Sequence, residues 1–311
     1  SMQMAHVVSI NVSARTGTAK TPVPSCIIGA CGIEGDAHAG SWHRQVSLLA
    51  QESVDRLARE EGCEFNPGEF AENLTISGLD LSAVHLRDRL AVGSAELEVT
   101  QKGKPCHGAG CAVFQAVGRC VMPKEGVFAR VVKGGEVKTG DPVSHTEVPL
   151  QVRIFTLSDR ASRGEYEDRS GPTVERCIET IFASLPWSVS CGIEILPDDG
   201  AVLRSRLEAA ARAGADIILT TGGTGIGPRD ITPDVIRPML DKEIPGVMEA
   251  IRVKFGAALP AALLSRSVAG VMGKTLVYAL PGGVKAVEEY LGEIGRTLEH
   301  ALFMLAGYDV H

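Results

Sequence analysis

Thr220-Thr-Gly-Gly-Thr-Gly-Ile-Gly-Pro-Arg-Asp-Ile-Thr-Pro-Asp234 brings four glycines, an Arg-Asp pair and a helix start into one short segment. Glycines let a backbone approach a ligand closely and turn successive N–H groups toward one point. Thr232 reads as an N-cap and Pro233 as the first helical residue. A glycine loop running into a helix N-terminus suits an anion, phosphate above all. Two familiar phosphate motifs do not fit. Gly222 and Gly227 have P-loop spacing, but Pro228-Arg229 stands where Lys-Ser/Thr is needed, and Pro228 also replaces the third glycine of a dinucleotide fingerprint.

Further polar clusters recur at comparable places. Ser158-Asp159-Arg160, Pro197-Asp198-Asp199 and Pro281-Gly282-Gly283-Val284-Lys285 each follow a short apolar run. Carboxylates suit Mg²⁺, and Arg or Lys suit phosphate oxygens. In the first half, Asp36, His38, His43 and Arg44 could hold an anion or a metal. Cys106 follows Lys102-Gly-Lys104-Pro, a cationic turn able to stabilise a thiolate, and Cys111 and Cys120 compete with it. Cys106, Cys111 and Cys120 lack the close pair spacing of a zinc ribbon.

Two different kinds of element must carry these groups. Residues 2–146 are strand-rich: His6–Val12, two short runs across Arg89–Gln101, and Val127–Val132 followed after a Gly-Gly turn by Glu136–Val143. One helix is predicted from Ala50 to Glu61. Many short strands with glycine turns predict a β-rich barrel. Residues 151–311 alternate strand and helix, with strands at Val152–Leu157, Cys191–Leu196, Asp216–Thr221 and Thr275–Leu280. Helices are predicted over Thr173–Ser184, Ala201–Ala213 and Val284–Gly307, the last with Val287, Leu291, Ile294, Leu298, Leu302 and Leu305 as its apolar stripe. The expected second fold is a three-layer α/β/α domain with a mostly parallel sheet, whose ligands collect beyond the strand ends. Ser144–Leu150 is the expected linker.

Composition narrows the function classes. The 311 residues are 44% hydrophobic and carry a net charge of -7. No basic run is present, so nucleic acid is not an expected partner. No apolar stretch is long enough for a membrane helix. Eight cysteines without a secretory pattern predict free thiols and a cytoplasmic protein.

Thr156–Gly171, Thr220–Asp234, Leu263-Leu-Ser265-Arg266 and Leu280–Lys285 together resemble the MogA/MoaB family, which handles molybdopterin in molybdenum-cofactor biosynthesis. The resemblance implies Mg-ATP-dependent transfer of AMP to the molybdopterin phosphate, and a homotrimer formed through this domain. It implies catalytic, Mg²⁺-holding aspartates at Asp198 and Asp230. It also implies a ligand set of Ser158, Asp159, Arg160, Thr221, Gly222, Gly223, Thr224, Gly225, Gly227, Arg229, Asp234, Ser265, Arg266, Pro281, Gly282 and Lys285. Gly32-Ile-Glu-Gly-Asp36, Phe70-Ala-Glu-Asn73 and the Cys106 segment resemble the MOSC domain. That likeness implies binding, sulfuration or transfer of the molybdenum cofactor, with Cys106 as sulfur carrier or molybdenum ligand. No desulfurase domain accompanies it, so a sulfur donor and a molybdoenzyme acceptor are the implied partners. The competing expectation is a non-catalytic molybdopterin carrier or scaffold.

Overall fold

A computed structural model describes residues 4–104 and 120–308. Cys106 and Cys111 therefore lie outside the described residues. The chain divides into two units between Pro149 and Leu150, with Tyr308 counted in the first.

The first unit is β-rich. Its strands are β1 (His6–Val12), β2 (Thr21–Val23), β3 (Ser25–Gly29), β4 (Gly32–Ile33), β5 (Val46–Ala50), β6 (Leu74–Ser77), β7 (Arg89–Val92), β8 (Ala95–Lys102), β9 (Val127–Lys133), β10 (Gly135–Lys138) and β11 (Val143–Thr146). Eight of them form one sheet in the order β11-β7-β8-β9-β5-β6-β1-β2, and β10-β3-β4 form a second. β5 lies inside the large sheet with all five residues buried, which explains its unbroken apolar run. The order is linear; an isolated bridge between His6 and Pro142, with backbone bonds from Val7 to Asp141 and from Gly140 to Val7, joins β1 to the segment before β11. This is a β-rich two-sheet unit, and a closed barrel ladder is not part of the described pairing. β9 and β10, adjacent in sequence, pair with different sheets. Helix α1 (Gln51–Glu61) follows β5 directly and ends on Gly62 in the left-handed region. A short helix α2 (Met122–Glu125) precedes β9.

The second unit alternates as expected: β12 (Leu150–Leu157), α3 (Asp159–Ser162), α4 (Ser170–Phe182), β13 (Val189–Leu196), α5 (Gly200–Arg212), β14 (Ile217–Thr221), α6 (Thr232–Ile236), β15 (Lys242–Glu243), α7 (Pro245–Gly256), β16 (Ala269–Met272), β17 (Thr275–Leu280) and α8 (Val284–Ala306). The sheet order is β13-β12-β14-β17-β16-β15, parallel from β13 to β17 and antiparallel beyond. The sheet is thus mixed. Phe155, Leu157, Ile218 and Val277 pack with Leu203 and Leu207 of α5 and Ile236 of α6. α4 lies against the opposite face, beside Thr156, and packs on α8. α8 buries Val287, Leu291, Ile294, Leu298 and Leu302, each worth about 1.5–3 kcal/mol of apolar burial. The expected linker is shorter than the sequence suggested, because β11 runs to Thr146 and β12 starts at Leu150. Four elements of this unit, α3, β15, α7 and β16, have no counterpart in the sequence reading.

Candidate functional site

Four parallel strands end on the same edge, and each ends in one of the polar clusters. β12 delivers Ser158, whose Oγ accepts the Ala161 N–H and caps α3. β13 delivers Asp198 and then Asp199, which caps α5 through the Ala201 and Val202 amides. Asp159 and Asp198 are interlocked. The Asp198 N–H donates to Asp159 Oδ1 at 2.8 Å, and the Asp159 N–H donates to Asp198 Oδ2 at 3.3 Å. The Arg229 guanidinium also pairs with Asp159. The Asp198 N–H and Arg229 hold the Asp159 carboxyl below the usual carboxylate range. Burial pushes the Asp198 carboxyl up, helped by the charges of Asp159 and Asp230.

β14 delivers the glycine loop. Gly222 has φ +101°, and a Cβ there would lie 2.6 Å from the Leu157 carbonyl oxygen. Gly223 has φ +70°, and its Cβ would meet Thr232 Oγ1 at 2.4 Å. Only glycine satisfies both conditions. The Thr232 hydroxyl donates to the Gly222 carbonyl at 2.9 Å. It is therefore not the helix cap: α6 starts at Thr232, after Ile231, without a side-chain cap. Asp230 folds back over the loop, its Oδ2 accepting the Gly227 N–H at 2.9 Å.

Arg266 clamps this loop from outside. It donates to the carbonyls of Gly225 and Asp230 at 2.8 and 2.7 Å and forms a two-oxygen ion pair with Asp234. The Arg266 side chain lowers the Asp234 carboxyl. Arg266 and Asp234 are thus engaged with each other and with the loop backbone. β17 delivers Pro281 and Gly282. The Pro281 carbonyl accepts the Thr221 hydroxyl at 2.8 Å, and Gly282 lies against Gly222. Lys285 projects into solvent near Glu289, and Arg160 stacks by Tyr166. A cleft of about 800 Å³ opens beside the loop, lined by Thr224, Gly225, Gly227, Asp230, Ser265, Pro281 and Lys285 on its polar side. Ile251, Phe255, Leu259, Leu264 and Tyr290 form the apolar wall. α7 supplies two of these, a contribution the sequence reading missed.

The carboxylates Asp198 and Asp230 suit a magnesium ion. Burial raises the Asp198 carboxyl, with the Asp159 and Asp230 charges adding to it, and a cation would offset both effects. Asp159, Asp198 and Asp230 do not converge as a tight three-donor cage. Mg²⁺ commonly binds through one or two carboxylates plus substrate phosphates and water.

The first unit holds a second cluster. Lys20 and Asp36 form a buried ion pair at 2.7 Å, with side chains 1% and 0% exposed. Burial opposes ionisation of Asp36, but hydrogen bonds from Lys20 and from the His38 and Ser13 amides hold its carboxyl below the usual range. His38 stacks on Trp42, and the Arg44 guanidinium lies 4.6 Å from the Trp42 ring. Burial lowers the His38 imidazole, as do the charges of Lys20 and Lys104, with Asp36 opposing. His38 Nδ1 and Arg44 Nε are buried without hydrogen-bond partners among the described residues. Lys20, His38, Arg44 and Lys104 thus form a polar cradle whose cations are the two lysines and Arg44, with Lys104 two residues before Cys106 in sequence. His43 instead pairs with the Thr100 hydroxyl at 2.9 Å and packs by Tyr308. Cys26, Cys31, Cys63, Cys177 and Cys191 are free thiols. Burial pushes Cys26 and Cys191 up to about 11.

Residues 35–144 match the MOSC domain and residues 153–300 the family described as probable molybdopterin binding domain, so the chain joins a MOSC unit to a molybdopterin-binding-type unit. Its second half is 32% identical over 166 residues to the molybdopterin adenylyltransferase of Escherichia coli, covering 52% of this chain and 84% of that one. The chain belongs to the MogA/MoaB family of molybdopterin adenylyltransferases. It is 35% identical over 156 residues to a molybdenum cofactor biosynthesis bifunctional protein of Synechococcus elongatus, over 50% of this chain and 47% of that one. It matches 22% of the length of gephyrin from Dictyostelium discoideum, at 34% identity over 50% of this chain. It thus spans less than half of these two relatives. A crystal structure of the molybdopterin biosynthesis enzyme MoaB from Thermus thermophilus is 40% identical, covering 52% of this chain and 99% of that one with a TM-score of 0.46.

Proposed function

We propose that residues 150–307 form a Mg-ATP-dependent molybdopterin adenylyltransferase and that the MOSC unit binds, sulfurates or hands on the molybdenum cofactor. The observation that carries the first half is the Asp159–Asp198 interlock facing the glycine loop and Asp230 at the end of four parallel strands. In the reaction a terminal phosphate oxygen of molybdopterin attacks the α-phosphorus of ATP. A new P–O bond forms as the bond to the β-phosphate breaks, and pyrophosphate leaves. The cleft volume is in the range of small-ligand sites. Its apolar wall suits a planar ring, and the Thr224–Gly227 backbone faces it to receive phosphate oxygens. Mg²⁺ held by Asp198 and Asp230 supplies charge neutralisation when bound. Arg266 positions the loop, and Arg229 sets the Asp159 charge. Catalysis at phosphorus is then chiefly positioning and electrostatics.

A homotrimer through this unit, as the family resemblance implies, and a cytoplasmic location belong to the same reading. Among the described residues no helix is long and apolar enough to cross a membrane. For the MOSC unit, support comes from the polar cradle of Lys20, His38, Arg44 and Lys104, with Cys106 as the proposed thiol that carries sulfur or ligates molybdenum. A sulfur donor and an acceptor molybdoenzyme complete that role. The test is incubation of the full chain with molybdopterin and Mg-ATP, following pyrophosphate and adenylylated pterin. Tight pterin binding without pyrophosphate release would replace the enzyme reading with a carrier.

A further inference from the structure

A cluster in the first unit is used by neither site. His85 and Asp88 lie in the turn before β7, and Glu147 follows β11. One ligand atom from each, His85 Nδ1, a carboxylate oxygen of Asp88 and one of Glu147, falls within 4.8 Å of the others. His85 Nδ1 stands 3.9 Å from Asp88 Oδ2 and 3.9 Å from Glu147 Oε1. The Asp88 side chain is fully buried. Its carboxylate accepts the Val148 N–H and the His85 N–H, each at 2.9 Å, and pairs with His145 Nε2 at 2.6 Å. A carboxylate has about four acceptor sites, two on each oxygen; Oδ2 is filled by the His85 N–H and His145, and the site that remains is on Oδ1, beside the Val148 N–H.

His85 Nδ1 is itself buried and makes no hydrogen bond among the described residues. A proton on Nδ1 is too far from either oxygen for a hydrogen bond, and a bare lone pair faces two carboxylates. A bound cation resolves both. Tetrahedral metal bonds of about 2.0–2.2 Å set ligand atoms roughly 3.4 Å apart, so His85 Nδ1 and Glu147 Oε1, now 3.9 Å apart, need to close in by only about half an ångström. We propose that His85, Asp88 and Glu147 bind a divalent transition-metal ion of the zinc class, with His145 as the outer partner that orients Asp88. One imidazole with two carboxylates suits zinc better than magnesium, which takes oxygen ligands and keeps its water. Three protein ligands leave the fourth position to water. The ion fastens the 145–148 segment onto the 85–88 turn.

Titration of the metal-free full chain with Co²⁺, read by electronic absorption, tests this and separates it from thiol binding. The expected result is one equivalent giving weak d–d bands without thiolate charge transfer, displaced by Zn²⁺. His85→Gln and Glu147→Gln should each weaken that binding more than about 100-fold, and His145→Gln about 10- to 100-fold, the range for an outer partner. Glu147 is exposed, so Glu147→Gln keeps the test open should His85→Gln misfold. Bands unchanged in Glu147→Gln, or thiolate-type bands alone in the wild type, would overturn the proposal.

Discussion

Asp159 and Asp198 each donate a backbone N–H to the other's carboxylate, across the gap between two parallel strands. The exchange ties the two side chains to each other, and Arg229 holds Asp159 from its other oxygen. It also makes their charges interdependent: Asp159 is kept ionised by its amide bond and Arg229, while Asp198 resists ionisation.

Asp230→Asn should reduce adenylylation about 10²- to 10³-fold, the scale of losing one positioned electrostatic group. The asparagine carbonyl can still accept the Gly227 N–H, so the loop is retained. Pyrophosphate release and thermal unfolding, measured together, check this; wild-type turnover in the variant would remove Asp230 from the mechanism.

Lys20→Met should cost about 3–5 kcal/mol, because it leaves the buried Asp36 charge without its partner. The double variant Lys20→Met, Asp36→Leu should recover much of that loss. Denaturant unfolding of four proteins, the wild type, Lys20→Met, Asp36→Leu and the double variant, gives the comparison, and additive losses would show that the pair is not coupled.

Glu72 gives a pH signature. Burial raises its carboxyl, and the bond from Thr75 only partly offsets this. A raised folded-state value means that its contribution is fully present below the unfolded value near 4.5 and is lost as pH rises through the folded one. Glu72→Gln should therefore be relatively more stable than wild type at pH 7 than at pH 4. Melting of the first unit across that range is the measurement, and a pH-independent difference would contradict the burial argument.

The thiols should divide sharply under alkylation. At pH 7 a thiol near 11 is ionised in about one molecule in ten thousand, so Cys26 and Cys191 should react slowly. Cys106, beside Lys104, should react fastest. Peptide mass spectrometry resolves the order; Cys106 reacting no faster than Cys63 would make it structural.

The segment 148–311 should fold alone, since residues 150–307 hold a complete sheet and its covering helices. Sedimentation should find a folded trimer, and an unfolded or strictly monomeric fragment would count against the assembly.

What was legible in the sequence was local. β14 and β17 announce themselves through short apolar runs, because strands buried on both faces carry little else, and β12 does so over residues 154–157 beyond its exposed Arg153. The glycine loop was legible because its backbone conformation excludes other residues. What was missed depends on distant partners. α7 buries Met248 and Ile251 yet leaves Val253 69% exposed, which blurs its periodicity. Thr232 has the chemistry of a cap, but the Gly222 carbonyl ten residues earlier takes its hydroxyl. The Lys20–Asp36 pair and the meeting of His85 with Glu147 follow from strand pairing, which spacing does not reveal.

Arg266 holds the Gly225 and Asp230 carbonyls from a position three residues before β16, the strand that turns the sheet antiparallel. The loop is thereby held in place by the scaffold before any ligand arrives. Binding should consequently carry little ordering entropy, and replacing Arg266 should appear first as slower capture and weaker affinity, before any fall in melting temperature.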